Sequence, residues 1–292
     1  MIALFQNPDR LLKSGGSGSL AFPNGFVSAI EDIETGGGGW TTDGIAQNLE
    51  PNGPIVLGDS VTEVAGQAFR LKPITSVIGP NVTTIRSQAF YECTSLVSVY
   101  FPKATTVVTE VLRGSYVSEI TDAQFPVVSS IGQAGFGTMP KLVKAFLSTP
   151  TSLANYCFDA CPLLLTGVFK NVGKLNTGAF RGCSTLQAVD LGGNGSASIA
   201  ANSFQNCLAF NVLVLRNTTI TTLANVSAFS NSPFASGKAG GTLYVPSALV
   251  SSYESASNWS TILGYGSGAQ NQILAIEGSI YETQYADGTP IT

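Results

Sequence analysis

The feature that most constrains this chain is a phrase that returns at a nearly fixed interval. Its clearest copy runs from Thr84 to Pro102, TIRSQAFYECTSLVSVYFP, and is anchored on Phe90. The same skeleton stands around Phe136, Phe158, Phe180, Phe204 and Phe229, with weaker copies at Phe69 and Leu112. Successive anchors lie 21, 22, 24, 22, 22, 24 and 25 residues apart. A unit this short cannot bury its apolar side alone, so each must stack on its neighbours. The positions nine and eleven after the anchor are apolar or small: Val99/Phe101, Ala145/Leu147, Gly167/Phe169, Val189/Leu191 and Leu213/Leu215. The residue between them varies freely. That alternation predicts a short strand with one buried face, repeated once per coil as a parallel sheet. The Ala-Phe segment is expected to turn the chain back as a turn, a 3₁₀ segment or one turn of helix, stacking the anchor rings in a column.

The consensus I-x-x-x-A-F-x-x-C-x-x-L-x-x-V-x-[FL]-P resembles the BspA-type leucine-rich repeat of bacteria and their viruses. The resemblance covers residues 55 to 246. Three units depart from it: the Leu112 unit lacks Phe and Cys, and Met139 and Ser232 replace Cys in two others. The resemblance implies a leucine-rich repeat solenoid, curved, used for adhesion and recognition, with no catalytic residue in the repeat itself.

Composition narrows the function. Hydrophobic residues make up 44 %, enough for a core, while charged residues make up only 11 %. The net charge of −4 and a pI near 4.8 leave no basic footprint for nucleic acid. No apolar stretch approaches the ~18 residues of a membrane span. The opening MIALFQNPDR is broken by polar residues before any signal-peptide core can form. The expectation from that opening is a protein assembled in the host cytoplasm into a particle, with the bacterial cell surface as the alternative.

Three regions follow. Residues 1–40 read as an arm with glycine-rich joints at SGGSGS and GGGG, whose Leu4, Phe5, Leu11, Leu12, Phe22, Phe26 and Ile30 would dock on a partner. Residues 41–246 form the solenoid, with PIVLGDSV as an opening strand and TLYVP as the last strand of the series. Residues 247–292 form a cap: SALVSSYESASNW is predicted as a helix capped by Ser247, with Leu249, Val250, Tyr253 and Ala256 inward. ILAI and SIYETQY are read as short strands.

Candidate chemistry is thin. Cysteines recur once per coil, at Cys93, Cys161, Cys183 and Cys207, so four cannot converge on one ion; with Cys157 they read as core thiols. A Cys161–Cys183 bridge between coils stays open. The absence of histidine removes Ser-His-Asp and Cys-His nucleophiles. Asp159 with Asp190 could be posed as a glycosidase pair, but nothing in the sequence sets their separation, and solvated loop carboxylates are the better reading. SPFASGKAGGT lacks the first glycine and the hydroxyl residue of a phosphate loop, and GYGSG lacks a βαβ context. No metal, cofactor or enzymatic activity is expected.

The outward strand positions carry more information. Tyr100, Gln124, Phe146, Val168, Asp190, Val214 and Tyr244, with Val212 and Lys144 beside them, should line one face. A solvated sheet face is usually polar, so Tyr100, Phe146, Val168, Val212, Val214 and Tyr244 are the candidate binding face; a flanking loop or the cap covering them is the alternative. The functional expectation is a non-enzymatic recognition protein. It is read as a phage virion component, a head- or tail-attached fibre or decoration protein, joined to other virion proteins by its arm and binding a host-surface glycan or protein. The alternative is a bacterial adhesin. A homo-oligomer is compatible with either.

Overall fold

A computed structural model describes residues 53–58, 61–193, 197–264 and 270–291. The anchoring-arm residues, Leu4 to Ile30, lie outside the described residues. The described chain winds as a parallel β-solenoid of about eight turns. One column of longer strands holds β1 (Gly53–Val56), β3 (Ile74–Ile78), β5 (Ser98–Tyr100), β7 (Glu119–Thr121), β9 (Lys144–Leu147), β11 (Thr166–Phe169), β13 (Ala188–Leu191), β15 (Val212–Leu215), β17 (Thr242–Val245) and β18 (Gln272–Ala275). A second column holds two-residue strands: β2 (Glu63–Val64), β4 (Thr84–Ile85), β6 (Thr106–Val107), β8 (Ser130–Ile131), β10 (Ser152–Leu153), β12 (Lys174–Leu175), β14 (Ser198–Ile199) and β16 (Thr222–Leu223). Pairing is parallel and in register from coil to coil, as in Lys144↔Thr166↔Ala188↔Val212. After Phe90, Phe136, Phe158, Phe180 and Phe204 the positions nine and eleven residues on are buried, as the alternation requires; after Phe69, Leu112 and Phe229 they are not.

The anchor segment is a third ladder, built from turns. Residues two before and two after the anchor take a left-handed conformation in coil after coil: Gln67/Leu71, Gln88/Glu92, Tyr156/Ala160 and Asn202/Asn206. Such a backbone is disfavoured by ~1–2 kcal/mol for a residue with a side chain. Inter-coil hydrogen bonds hold it: Gln88, Phe90 and Glu92 donate their N–H groups to Thr109, Val111 and Arg113, and Tyr156, Phe158 and Ala160 to Thr177, Ala179 and Arg181. Only the Val226–Phe229 coil makes this turn as a 3₁₀ helix.

The anchor rings stack. Phe158, Phe180 and Phe204 lie with centroids 5.5 Å apart and planes within 4°, and Phe204–Phe229 follows at 5.4 Å. At the ringless Leu112 the aromatic path detours through Phe101 and Phe125, which link Phe90 to Phe136 at 5.8, 5.8 and 5.7 Å. Gly167 is required beside this column, because a Cβ there would meet the Phe169 ring at 2.8 Å. The thiols form a parallel file. Cys93, Cys161, Cys183 and Cys207 donate to the carbonyls of Phe69, Phe136, Phe158 and Phe180, each an anchor of the preceding coil. All five cysteines are buried and free, so the Cys161–Cys183 bridge is not made. Burial pushes Cys93 and Cys207 up to about 12, leaving no reactive thiolate at neutral pH.

The C-terminal end departs from expectation in three places. The helix reading resolves into a 3₁₀ turn at Ser247–Leu249, then α1 (Val250–Ser255) and α2 (Trp259–Leu263); the Ser247 side chain makes no capping bond, because the turn begins on Pro246. TLYVP is not the last strand: β18 pairs beyond it. SIYETQY is a 3₁₀ turn at Ile280–Glu282, since the chain there leaves the sheet edge and crosses its outer face. Tyr253 is buried, with Leu249, Val250 and Ala256 packed against the core. The cap is pinned by satisfied polar groups. Tyr253 Oη accepts from Thr221 N–H, and Trp259 Nε1 donates to Thr221 O. Buried Asn271 accepts from Gly241 and donates to Phe234 and Ile262.

Phe180 touches rings on both sides, so Phe180→Ala should lower unfolding stability by about 3–5 kcal/mol, the cost of an unfilled aromatic cavity. Denaturant titration with an unchanged m-value checks this.

Candidate recognition surface

In-register stacking places one residue of each long strand at a common level of the outer face. The series runs Val56, Ile78, Tyr100, then Thr121, Phe146, Val168, Asp190, Val214, Tyr244 and Leu274. Gln124 is not among them. The long sheet divides between β5 and β7, Thr121 takes the level, and Gln124 sits in the following turn, its carbonyl accepting from Phe101 N–H.

Part of this face is covered, which corrects the expected exposure of Val168 and Val214. Both are buried. The segment 276–291 leaves β18 and folds back as a strap. Ile276 and Tyr281 pack with Val214 in a second apolar cluster, against which Val212, Tyr244 and Ala286 rest. Tyr281 meets Tyr244 edge-on at 4.6 Å, and Tyr285 meets Phe146 edge-on at 6.0 Å. Val168 lies between Phe146 and Asp190, both of which the strap contacts. Tyr100, Phe146, Val212 and Tyr244 are half-buried. The six candidate residues therefore do not form one open surface, because the chain's own C-terminus occupies the middle of it.

Charge fixes the strap in place. Asp190, buried, receives both Arg216 Nε and Nη2 at 2.7 Å and the Ala286 N–H at 3.0 Å. Arg216 spends two further donors on the strap, Nη1 on Tyr281 O and Nη2 on Gln284 O. Its guanidinium stacks 5.1 Å from the Tyr285 ring centre. Desolvation pushes the Asp190 carboxyl above its ordinary value, with Arg216 and the Ala286 amide pulling against it. Lys144 pairs with Asp287 at 2.7 Å, and Lys170 lies over both Phe146 and Tyr285. Burial pushes Asp287 up, but donation by Lys144 and Thr289 outweighs it, and the net displacement is downward. Sequence reasoning missed Arg216. The available signal was Asp190 itself, the one carboxylate in a largely apolar column. Its posed partner Asp159 belongs elsewhere, bonded bidentately by Arg181.

The open apolar surface lies three residues before this level, just ahead of the strands. Val97, Val143 and Leu165 immediately precede β5, β9 and β11, and Tyr116 and Leu163 stand two residues before this position on their coils. These five side chains are 36–60 % exposed. Backbone bonds join the file, Val143 N–H to Ser118 O and Leu165 N–H to Val143 O. Farther along, Gln187 and Asn211 occupy the same position, so the ridge is confined to consecutive central coils. Among the described residues no group of three or more His, Cys, Asp or Glu could hold a metal, and no helix is long and apolar enough to cross a membrane.

Comparison with known proteins places the repeat. The model of the BspA-type leucine-rich repeat region matches in six copies over residues 53–142 and 115–236, more than half of the chain. The chain belongs to the BspA-type leucine-rich repeat family. No curated protein matches it. Among solved structures, a leucine-rich cell surface protein of Faecalibacterium prausnitzii is 17 % identical, with 58 % of this chain and 60 % of that one covered and a TM-score of 0.36. A leucine-rich repeat protein of Eubacterium ventriosum is 15 % identical, with 64 % and 67 % covered and a TM-score of 0.40. The leucine-rich repeat protein of T. pallidum is 24 % identical, with 56 % and 72 % covered and a TM-score of 0.37. The chain thus spans about three fifths of the length of the first of these.

Two outcomes test the strap. Arg216→Met leaves Asp190 buried without its cation and should lower stability by about 3–5 kcal/mol, read by chemical denaturation. Asp287, with a folded pKa below the ordinary 3.8, contributes stability that is present above that value and lost as pH falls through the lower folded one. Asp287→Asn should therefore flatten the acid limb of a melting-temperature profile below about pH 4, while Asp190 contributes equally to both proteins.

Proposed function

We propose that this protein is a non-enzymatic recognition module of a bacterial cell surface, gripping a protein partner through the ridge Val97, Tyr116, Val143, Leu163 and Leu165. The ridge carries the reading. Five large apolar side chains stand exposed on consecutive coils of a sparsely charged body, and exposed apolar surface of this kind often marks an interaction site. Its chemistry favours protein over sugar: four of the five side chains are valine or leucine, which offer neither a flat ring to stack on a pyranose nor hydrogen bonds to orient one, and the single ring, Tyr116, has Lys141 over it. Family membership supports the surface assignment, since BspA-type repeats are surface repeats, and the particle-component reading drawn from the opening residues has no comparable support. The aromatic positions first singled out, Phe146 and Tyr244, are committed to the strap, which supports moving the contact to the ridge.

Val143→Asp with Leu165→Asp should abolish attachment of the labelled protein to host-cell monolayers and leave the melting temperature unchanged, as substitutions at exposed positions do. Attachment undiminished in the double variant overturns the ridge. Recovery of the native protein in purified phage particles, with none in the cell envelope, overturns the cell-surface reading.

A further inference from the structure

The seven-stranded sheet ends on β18; helix α1 packs beside it, and among the described residues no strand pairs with its far side. Gln272 and Ile276 turn their N–H groups toward β17, donating to Gly241 O and Val245 O at 2.8 Å. Alternation in a parallel ladder then turns the N–H and C=O groups of Ile273 and Ala275 to the free side. Among the described residues neither amide has a partner there. Such an edge is ordinarily blocked by charge, proline, a bulge or an overlying element. The strand reads QILA, with no charge and no proline, and its pairing to β17 shows no bulge. Leu274 stands exposed on the outer face, in register with Tyr244.

The opposite end of the long column is guarded. Leu57 donates to Ile78 O, so Ile55 and Leu57 face β3 and Pro54 falls on the side away from it. Proline there has no N–H to offer an incoming strand. Head-to-tail addition of β18 to β1 would lose that bond and would also generate an open filament. Pairing of β18 with itself avoids both. Antiparallel about a two-fold axis, each copy supplies the two donors and two acceptors that the other lacks, and the uncharged strand brings no charge of its own against its like.

We infer that β18 is a homodimerisation edge, on which a second copy of this chain adds its own β18 to continue the sheet across a two-fold axis. The partner is set by the backbone: outward amides at alternate residues require carbonyls at strand spacing, and a second β18, itself uncharged and without proline, supplies them in antiparallel register. The dimer leaves the ridge and the strap where they are and stands independently of the recognition reading.

The experiment is sedimentation equilibrium of the full chain over a wide concentration range, with two variants. Ala275→Pro deletes an outward N–H while sparing the bonds to β17. Leu274→Glu keeps every main-chain bond and sets a carboxylate against the carboxylate of the second copy. The wild type should pass from monomer to dimer with concentration, while both variants stay monomeric over the same range with unchanged melting temperature. A wild type that is monomeric throughout, or variants that dimerise as the wild type does, would overturn the inference.

Discussion

Everything in this molecule depends on coils lying in register. A 22-residue turn has too little apolar surface to fold alone, and stacking turns it into part of a continuous core. Three ladders enforce the register: the long strands, the two-residue strands, and the turn ladder in which left-handed residues flank the anchor of every coil but that of Phe229. The third is the least familiar and the most demanding. Its residues accept a disfavoured backbone because the amides so turned are those that reach the next coil. The phenylalanine column then fills the space the ladders enclose, each ring contributing roughly 1.5–3 kcal/mol of burial. Where Leu112 breaks the column, Phe101 and Phe125 restore contact, so the constraint is on filled volume more than on one position.

A solenoid built this way has two surfaces to dispose of, its faces and its ends. The strap answers for part of the outer face. It makes no ladder with the strands beneath it; apart from the one apolar cluster it is held by side chains of successive coils, the Asp190–Arg216 pair at its centre. A buried pair of this type adds little net stability over an apolar substitute, but it punishes the loss of either partner, which makes the strap's position specific. Among the described residues the two end strands differ: β1 carries a proline on its outer side, and β18 carries none.

The repeat, the strand alternation, the buried thiols and the anchor column were legible because each is a local pattern repeated many times. The period alone distinguishes core from surface positions. The cap was legible only in part: ILAI is a strand, but SIYETQY is a turn on the outer face, since an alternating pattern does not reveal which neighbour a segment leaves. The apolar ridge went unread for a related reason. Val97, Val143 and Leu165 precede the strands, and their hydrophobicity resembles that of the core positions beside them until the coil's orientation is known.

The sequence by itself determined the architecture, because a short unit with a fixed apolar skeleton has no other way to bury its side chains than to stack. Only the tertiary structure decided which outward residues are free. Val168, Val214 and Tyr244 have the same outward register as Tyr100, yet the strap that covers or contacts them comes from residues some 30 to 120 positions later in the chain. Contacts at such separation carry no periodic signature: they depend on one chain reversal and one buried ion pair, each occurring once.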